Sequence, residues 1–195
     1  MHLVRQAVRF LTLGLTAVVL ALTMGHLLEM PAKLALPPGD YVIVQQIYRG
    51  HGVVGAIVEP AAIVGVFVLA LLSRGRPPFR PALLSGVCLI AALLIWVAIV
   101  NPTNAAWQTA RPASIPLDFE SLRLRWEWGH GARAALVMLA FASLVVAVLS
   151  DMAAEAAAAV KRTVPRATAT NAAGSPPSAD ENAADVIEPP QRGAA

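Results

Sequence analysis

The chain has 195 residues, of which 57% are hydrophobic and only 14% are charged, with a formal net charge of +3 and a mean hydropathy of +0.63. A soluble domain carries about 25% charged residues, so this chain has too little charge to cover a surface exposed to water. The basic residues are scattered rather than clustered, which argues against nucleic-acid binding. We therefore expect a lipid bilayer to be its main partner.

Four apolar segments are each long enough to cross a membrane as a helix, which takes about 20 residues. We place them at about residues 8–28, 53–72, 81–100 and 132–150. The first follows Arg5 and Arg9, so a signal peptide is the alternative, but the segment is long for one and lacks a clear A-x-A cleavage site. The sequence thus predicts an all-α polytopic membrane protein, a bundle of four transmembrane helices.

The connections between the spans predict short helices outside the membrane. Asp40 follows Pro-Pro-Gly and is a candidate N-cap for a helix that starts near Tyr41 and runs towards span two. Asp118 can cap a helix that starts near Phe119 and continues into span four.

The composition of the chain changes after about Thr163. Residues 163–195 are rich in Ala, Pro, Ser and acidic residues and show no apolar periodicity. Such a segment cannot bury enough apolar surface to offset the entropy of ordering. We predict a transmembrane domain at residues 1–162, in which helix four extends beyond the bilayer, and a disordered cytoplasmic tail at residues 163–195.

The positions of Lys and Arg predict the orientation, because these residues favour cytoplasmic loops. Four spans place the N-terminus, the connection between spans two and three, and the stretch after span four on one side. The basic residues of these segments are Arg5, Arg9, Arg74, Arg76, Arg80, Lys161, Arg162 and Arg166. We therefore predict a multi-pass protein of the plasma membrane, the inner membrane of a bacterium, with both termini in the cytoplasm.

Polar and ionisable residues gather at the outer ends of the predicted spans, whereas the inner halves hold almost none. Ionisable groups inside a membrane are costly and indicate function by default. We take His26, Glu59 and His130 as candidate catalytic residues. Candidate ligand-binding residues are Glu29, Gln45, Tyr48, Asn101, Asn104, Trp107, Arg125, Trp126 and Arg133.

Helical spacing aligns these residues on three faces, because residues three and four apart share one face of a helix. One stripe consists of Gln45, Tyr48, Gly52, Gly55, Glu59 and Ala62, and its small residues would let helices approach closely. The other two faces are Trp126, His130, Arg133 and Val137 on helix four, and Val97, Asn101 and Asn104 on helix three.

Each candidate also has a structural interpretation. Glu59 can pair with Arg133, the histidines can serve as hydrogen-bonding groups, and Trp107, Trp126 and Trp128 can form an aromatic belt at the lipid headgroups. Arg123 and Glu127 have the i,i+4 spacing of a surface pair, and Cys88 fits as a small apolar side chain.

A metal site is chemically feasible, since imidazole and carboxylate suit iron, manganese or zinc. Its ligands would be His26, Glu29, Glu59 and His130. No motif enforces that geometry, so we predict no metal and no other cofactor.

The sequence resembles the DUF1772 group of small four-helix membrane proteins, also described as anthrone oxygenase-like. The resemblance covers nearly all of residues 5–155 and not the tail. It rests on four motifs, Gly25-His26-x-x-Glu29-x-Pro31, Tyr41-x-x-x-Gln45-x-x-Tyr48-Arg49, Asn101-Pro102-x-Asn104 and Arg125-Trp126-Glu127-x-Gly129-His130-x-x-Arg133.

The resemblance implies cofactor-independent oxygenation of polycyclic anthrones to anthraquinones, an activity of some members of that group. His26 or His130 would then remove a proton from the activated ring carbon. Trp107 and Trp126 would stack on the flat substrate, and Arg125 or Arg133 would stabilise a developing phenolate or enolate. The alternatives are a non-catalytic accessory protein, whose polar cluster only ties the helix ends together, and a transporter, which would more often show polar residues at mid-bilayer and internal repeats.

Overall fold

The structure, a computed structural model, describes residues 2–173. This part of the chain forms six α-helices, α1 (His2–Leu34), α2 (Pro38–Gln45), α3 (Arg49–Leu72), α4 (Phe79–Ile95), α5 (Asn101–Thr109) and α6 (Phe119–Ala173). A 3-10 turn, Gln46–Tyr48, joins α2 to α3, and a π-helical turn, Trp96–Val100, joins α4 to α5. Within the same residues the only β-type pairing is one isolated bridge between Arg111 and Ser114. The all-α prediction is confirmed.

Four helical segments in the described residues are long and apolar enough to cross a membrane. They are Leu3–Leu34, Gly50–Leu72, Phe79–Thr109 and Phe119–Arg162, and each contains one of the predicted spans. The third combines α4, the π-helical turn and α5. The protein is therefore a multi-pass integral membrane protein, with α2 as a short additional helix.

The helix starts differ in how well the sequence predicted them. Helix α6 begins at Phe119, as expected after Asp118. The expected start of α2 near Tyr41 is wrong, since α2 begins at Pro38 and Asp40 lies in its first turn. Proline suits this position because it has no backbone N–H to leave unpaired and its fixed φ is already helical.

The centre of the bundle is a closely packed apolar core. Its buried side chains come from α1, α3, α4 and α6 and include Val19, Val66, Leu69, Leu89, Val137 and Leu144. Glycines allow close approach here: a Cβ on Gly65 would lie 2.7 Å from Thr12 Oγ1, and one on Gly86 would lie 2.9 Å from Phe67 Cζ. Small residues play this part in membrane helix packing.

One end of the bundle, called the short-loop end, carries the start of α1 and the connection at residues 73–78. It holds a partly buried network of ion pairs. Arg9 pairs with Asp151, whose other carboxylate oxygen lies 2.7 Å from Arg76 Nη2. Glu155 accepts hydrogen bonds from Arg5 and Arg9. Of these five residues only Arg9 lies within a predicted span, so charges that are far apart in the sequence meet near the ends of the spans and neutralise one another.

Residues up to Glu155 form one compact unit, and residues from Ala156 onward form a second. In the second unit α6 continues to Ala173, so the backbone of residues 163–173 is helical. The rest of the predicted tail, residues 174–195, lies outside the described residues.

Candidate functional site

A cavity of about 260 Å³ lies at the opposite end of the bundle, called the long-loop end, where α1 ends and α3 begins. Side chains from five of the helices and both irregular turns surround it. Its lining residues include Leu22, Thr23, His26, Tyr48, His51, Gly52, Gly55, Ala56, Glu59, Pro60, Trp96, Asn104, Trp126, His130 and Arg133. All three candidate catalytic residues are among them.

The small residues of the α3 stripe leave this space open. A Cβ on Gly52 or Gly55 would meet no atom within 4 Å. The expected close helix approach at these two glycines is therefore wrong, although Glu59 and Ala62 on the same stripe are buried as expected. Pro60 has no N–H to donate to the Ala56 carbonyl one turn earlier, so this carbonyl lacks its usual helical hydrogen bond.

A buried ion pair forms one wall of the cavity. Arg133 Nη2 donates to Glu59 Oε2 at 2.6 Å, and the two side chains are 7% and 6% exposed. Arg133 Nε also donates to the Ala92 carbonyl at 3.2 Å, which ties α6 to α4. The other carboxylate oxygen, Glu59 Oε1, is buried without a hydrogen-bond partner. The predicted pairing of Glu59 with Arg133 is confirmed, and it leaves one acceptor of the carboxylate free.

A cluster of aromatic rings and histidines forms another part of the cavity wall. The His26 and His130 ring centroids lie 4.0 Å apart, and Trp126 lies 4.2 Å from His130 and 5.0 Å from His26. Tyr48 lies 4.7 Å from His26, and His51 is a further neighbour at 5.9 Å. Nδ1 of both buried histidines has no hydrogen-bond partner. Each histidine can therefore still donate or accept a hydrogen bond at this atom.

A second buried ion pair supports this cluster from behind. Lys33 Nζ lies 2.9 Å from Glu127 Oε1 and 3.8 Å from the Trp126 ring centroid, a cation–π distance. Tyr41 Oη donates to the same Glu127 oxygen at 2.9 Å and accepts from Gln45 Nε2 at 2.7 Å. Burial, and next the negative charge of Glu127, raise the pKa of Tyr41 far above its usual value. Tyr41 therefore stays a neutral donor.

The expected surface pair between Arg123 and Glu127 is wrong. Glu127 is 1% exposed and paired with Lys33, whereas Arg123 pairs with Glu120 at 2.6 Å. Arg123 also donates to the Leu36 carbonyl at 3.2 Å. A charged side chain buried this deeply needs a partner, and Lys33 supplies it from another helix.

The π-helical turn separates residues that the sequence placed on one face. Val97 is 52% exposed and Asn101 is exposed, whereas Asn104 faces the cavity and accepts from Trp126 Nε1 at 2.7 Å. A π-type turn adds a residue to the helical repeat, so it rotates the residues C-terminal to it about the helix axis. The turn shifts Asn101 and Asn104 together relative to Val97, and of the three side chains only Asn104 lines the cavity, so the expected common face is wrong.

The structure brings most, but not all, of the remaining candidates near the cavity. Tyr48 Oη donates to the Glu29 carboxylate at its edge. Gln45 and Trp107 line a smaller neighbouring cavity of about 110 Å³, and Trp107 packs on Tyr41 and Phe119. Arg125 is exposed and does not line either cavity.

Sequence reasoning missed Lys33, His51 and Trp96 as residues of this region. Lys33 looks like an interfacial residue at the end of an apolar run, but it is only 3% exposed. His51 is one residue off the stripe that was aligned by spacing, and Trp96 begins the π-helical turn. A helical projection that included the span ends would have found His51, which lies between Tyr48 and Gly55 on α3.

Among the described residues, no group of three or more His, Cys, Asp and Glu side chains could hold a metal ion. The cavity instead combines flat aromatic surface with free hydrogen-bonding atoms. Such a site can hold a flat, mostly apolar molecule and fix its orientation by a few polar contacts.

Comparison of the sequence with protein-family models finds no match, and neither do comparisons with curated proteins and with solved structures. The membership of DUF1772 therefore stays a prediction.

Proposed function

We propose that this integral membrane protein binds a small, flat, mostly apolar molecule, such as a quinone or an anthrone, in the cavity at the long-loop end. One observation carries the proposal: the rings of His26, Trp126 and His130 pack against one another beside a cavity that is also lined by a buried ion pair. Aromatic surface suits a flat ring, and the free atoms of Glu59 and the histidines suit its polar substituents.

The size of the cavity supports a compact ligand. Pockets for drug-sized molecules begin at about 300 Å³, and this cavity, at about 260 Å³, is slightly smaller. Arg133 is already engaged with Glu59, so the cavity offers no uncommitted arginine to an anion. A neutral ring with hydroxyl or carbonyl substituents fits these constraints better than a carboxylate or a phosphate.

The resemblance to DUF1772 supports a narrower version in which the ligand is an anthrone and reacts with oxygen. His26 or His130 takes a proton from the ring CH₂ carbon, and the resulting carbanion reacts with O₂. The carbon becomes a carbonyl that keeps one oxygen atom, and the other oxygen leaves as water. Both histidines lie close enough to the cavity to reach a bound ring.

The binding experiment uses 1,4-naphthoquinone and the purified protein in lipid nanodiscs, with empty nanodiscs as the blank. We expect Trp126→Leu to weaken binding about tenfold, a loss of about 1.4 kcal/mol. Trp128→Leu is the matched control, because Trp128 lies two residues along the same helix but is 64% exposed. Equal affinities for both variants and the unchanged protein would rule the cavity out as the binding site.

The oxygenation experiment measures anthraquinone formation from anthrone in the same nanodiscs. The rate above the spontaneous background should fall in His26→Ala or His130→Ala, whereas Arg125→Ala, an exposed control, should keep it. A rate no higher than that of empty nanodiscs would leave ligand binding and remove the oxygenase version.

A purely structural role is the second candidate, and the two buried ion pairs favour it. Glu59–Arg133 and Lys33–Glu127 join helices at the long-loop end in the manner of a tether. The roles separate when folded yield and naphthoquinone binding are measured together for His130→Ala. Lost yield without lost affinity supports the tether, and normal yield with lost affinity supports the binding site.

A further inference from the structure

A groove adjoins the cavity between α1 and the start of α3. This groove has a volume of about 220 Å³. Four side chains, Leu22, His26, Tyr48 and His51, line both the groove and the cavity. The remaining groove residues are Val18, Ala21, Gly25 and Glu29. Because the two hollows share a wall of four side chains, a ligand in the cavity can extend into the groove.

The groove faces the lipid side of α1. Val18 is 43% exposed and Ala21 is exposed, although both lie in a helix apolar enough to cross a membrane. Apolar side chains exposed along such a helix contact lipid. Gly25 keeps this path clear, since a Cβ there would meet no atom within 4 Å. The groove is therefore a route between the cavity and the bilayer.

The combined space of the cavity and the groove has a polar part and an apolar part. Three residues of the cavity wall have a buried polar atom without a partner, namely Glu59 Oε1, His26 Nδ1 and His130 Nδ1. A buried polar atom without a partner is destabilising, so a polar ring substituent is favoured there. The groove shares His26, Tyr48 and His51 with the cavity and has Glu29 towards the end of α1, whereas its stretch along Val18, Ala21 and Leu22 is apolar. Polar substituents fit one end of this combined space, and hydrocarbon fits the other.

We infer that the ligand is a lipid-soluble amphipath that reaches the cavity from the bilayer, with its ring in the cavity and an apolar tail leaving through the groove. This inference rests on the proposed function, because it requires a ring in the cavity. The groove does not have to add affinity, since lipid would solvate the tail equally well. Its part is to leave the tail a way out while the ring is bound.

The experiment compares two probes, 1,4-naphthoquinone and the same ring with a ten-carbon alkyl chain at carbon 2. Both are titrated into the full-length protein in nanodiscs. Gly25→Leu should block the groove without entering the cavity, because Gly25 lines only the groove. We expect it to weaken binding of the tailed quinone at least about tenfold and that of the tail-less quinone less than about twofold.

Gly14→Leu is the matched control for this substitution. Gly14 is an exposed glycine of the same helix, also has no atom within 4 Å of its Cβ position, and lines neither hollow. It should leave the affinity of both probes unchanged. Ala21→Trp blocks the exposed part of the groove and provides a second variant if Gly25→Leu folds poorly.

The outcomes separate the inference from the proposed function. Selective loss of the tailed quinone supports the groove as the tail's exit. If Gly25→Leu weakens the binding of both probes equally, or weakens the binding of neither, the groove is not the exit of the tail. Binding of the ring in the cavity is unaffected by that outcome. Failure of the unchanged protein to bind either probe removes the proposed function itself, and the inference with it.

Discussion

The two ends of the bundle both bury charged side chains, but they differ in how fully those charges are paired. At the short-loop end one oxygen of Asp151 accepts hydrogen bonds from Arg9, and the other, which has no hydrogen bond, forms an ion pair with Arg76 Nη2 at 2.7 Å. At the long-loop end Glu59 uses one oxygen for Arg133 and leaves the other without a partner beside a space of about 260 Å³. The first arrangement suits a structural contact between helices, and the second leaves hydrogen-bonding capacity for a ligand.

Glycine residues also differ between regions of the bundle in how closely other atoms approach them. Gly65 and Gly86 lie where a neighbouring helix or ring is already closer than a Cβ allows. Gly52 and Gly55 lie where nothing approaches. The same residue type therefore closes the centre of the bundle and opens its long-loop end, and only the neighbouring side chains show which role applies.

The largest effect should come from Asp151→Asn. It removes the charge that neutralises two arginines at a site where the Asp151 side chain is 1% exposed. Removing one partner of a buried ion pair costs about 3 kcal/mol or more. We expect a clear fall in the apparent Tm in detergent, measured by intrinsic fluorescence. Asp118→Asn, an exposed control, should leave the Tm unchanged.

The same measurement on Glu59→Gln compares the two ends directly. Glu59 contacts a single arginine beside the cavity, whereas Asp151 neutralises two, so the loss of Glu59 should cost no more than that of Asp151, about 3 kcal/mol. If Glu59→Gln is less stable than Asp151→Asn, the ion pair at the long-loop end contributes more to the stability of the bundle.

Alanine at two glycines should have effects of opposite sign. Gly86→Ala places a methyl group 2.9 Å from the Phe67 ring, and overpacking of this kind costs about 1–3 kcal/mol. Gly55→Ala meets open space and should stabilise α3 by up to about 1 kcal/mol, since alanine favours helix over glycine. Thermal unfolding of the two variants checks the signs, and a stabilising Gly86→Ala would contradict close packing at the centre.

The smallest effect concerns Tyr41 at high pH. Its pKa is raised in the folded protein, so above about pH 10 the unfolded chain releases a proton that the folded protein retains. Folding stability should therefore fall with pH in that range. Tyr41→Phe should be less stable at neutral pH, because it loses the bond to Glu127, but its stability should fall less steeply. Parallel curves for the two proteins above pH 10 would show that Tyr41 does not contribute.

Hydropathy and helical spacing predicted the parts of this molecule that depend on one helix at a time. They placed the four spans, and they placed Trp126, His130, Arg133 and Val137 on one face, which is buried in the structure. The pairing of Glu59 with Arg133 was also accessible, because both lie in predicted spans and carry opposite charges.

The rest depends on which helices meet, and spacing along one helix does not contain that information. Arg9 and Asp151 are separated by 142 residues, so their contact depends on the tertiary arrangement alone. The sequence suggested other roles for Lys33 and Glu127. Lys33 looked like a cation at the membrane interface, and Glu127 looked like a surface partner of Arg123. Both interpretations are wrong, because the two side chains are buried in the bundle and pair with each other.

The π-helical turn at Trp96–Val100 gives the third span a local irregularity in its hydrogen bonding. Such a turn amounts to a one-residue insertion in an α-helix, and deleting one residue would return the segment to α-helical register. The downstream turn would then rotate by about 100°, and Asn104 would leave the indole nitrogen of Trp126. Insertion or loss of one residue here is thus a simple evolutionary route to a different cavity lining, with the apolar spans left as they are.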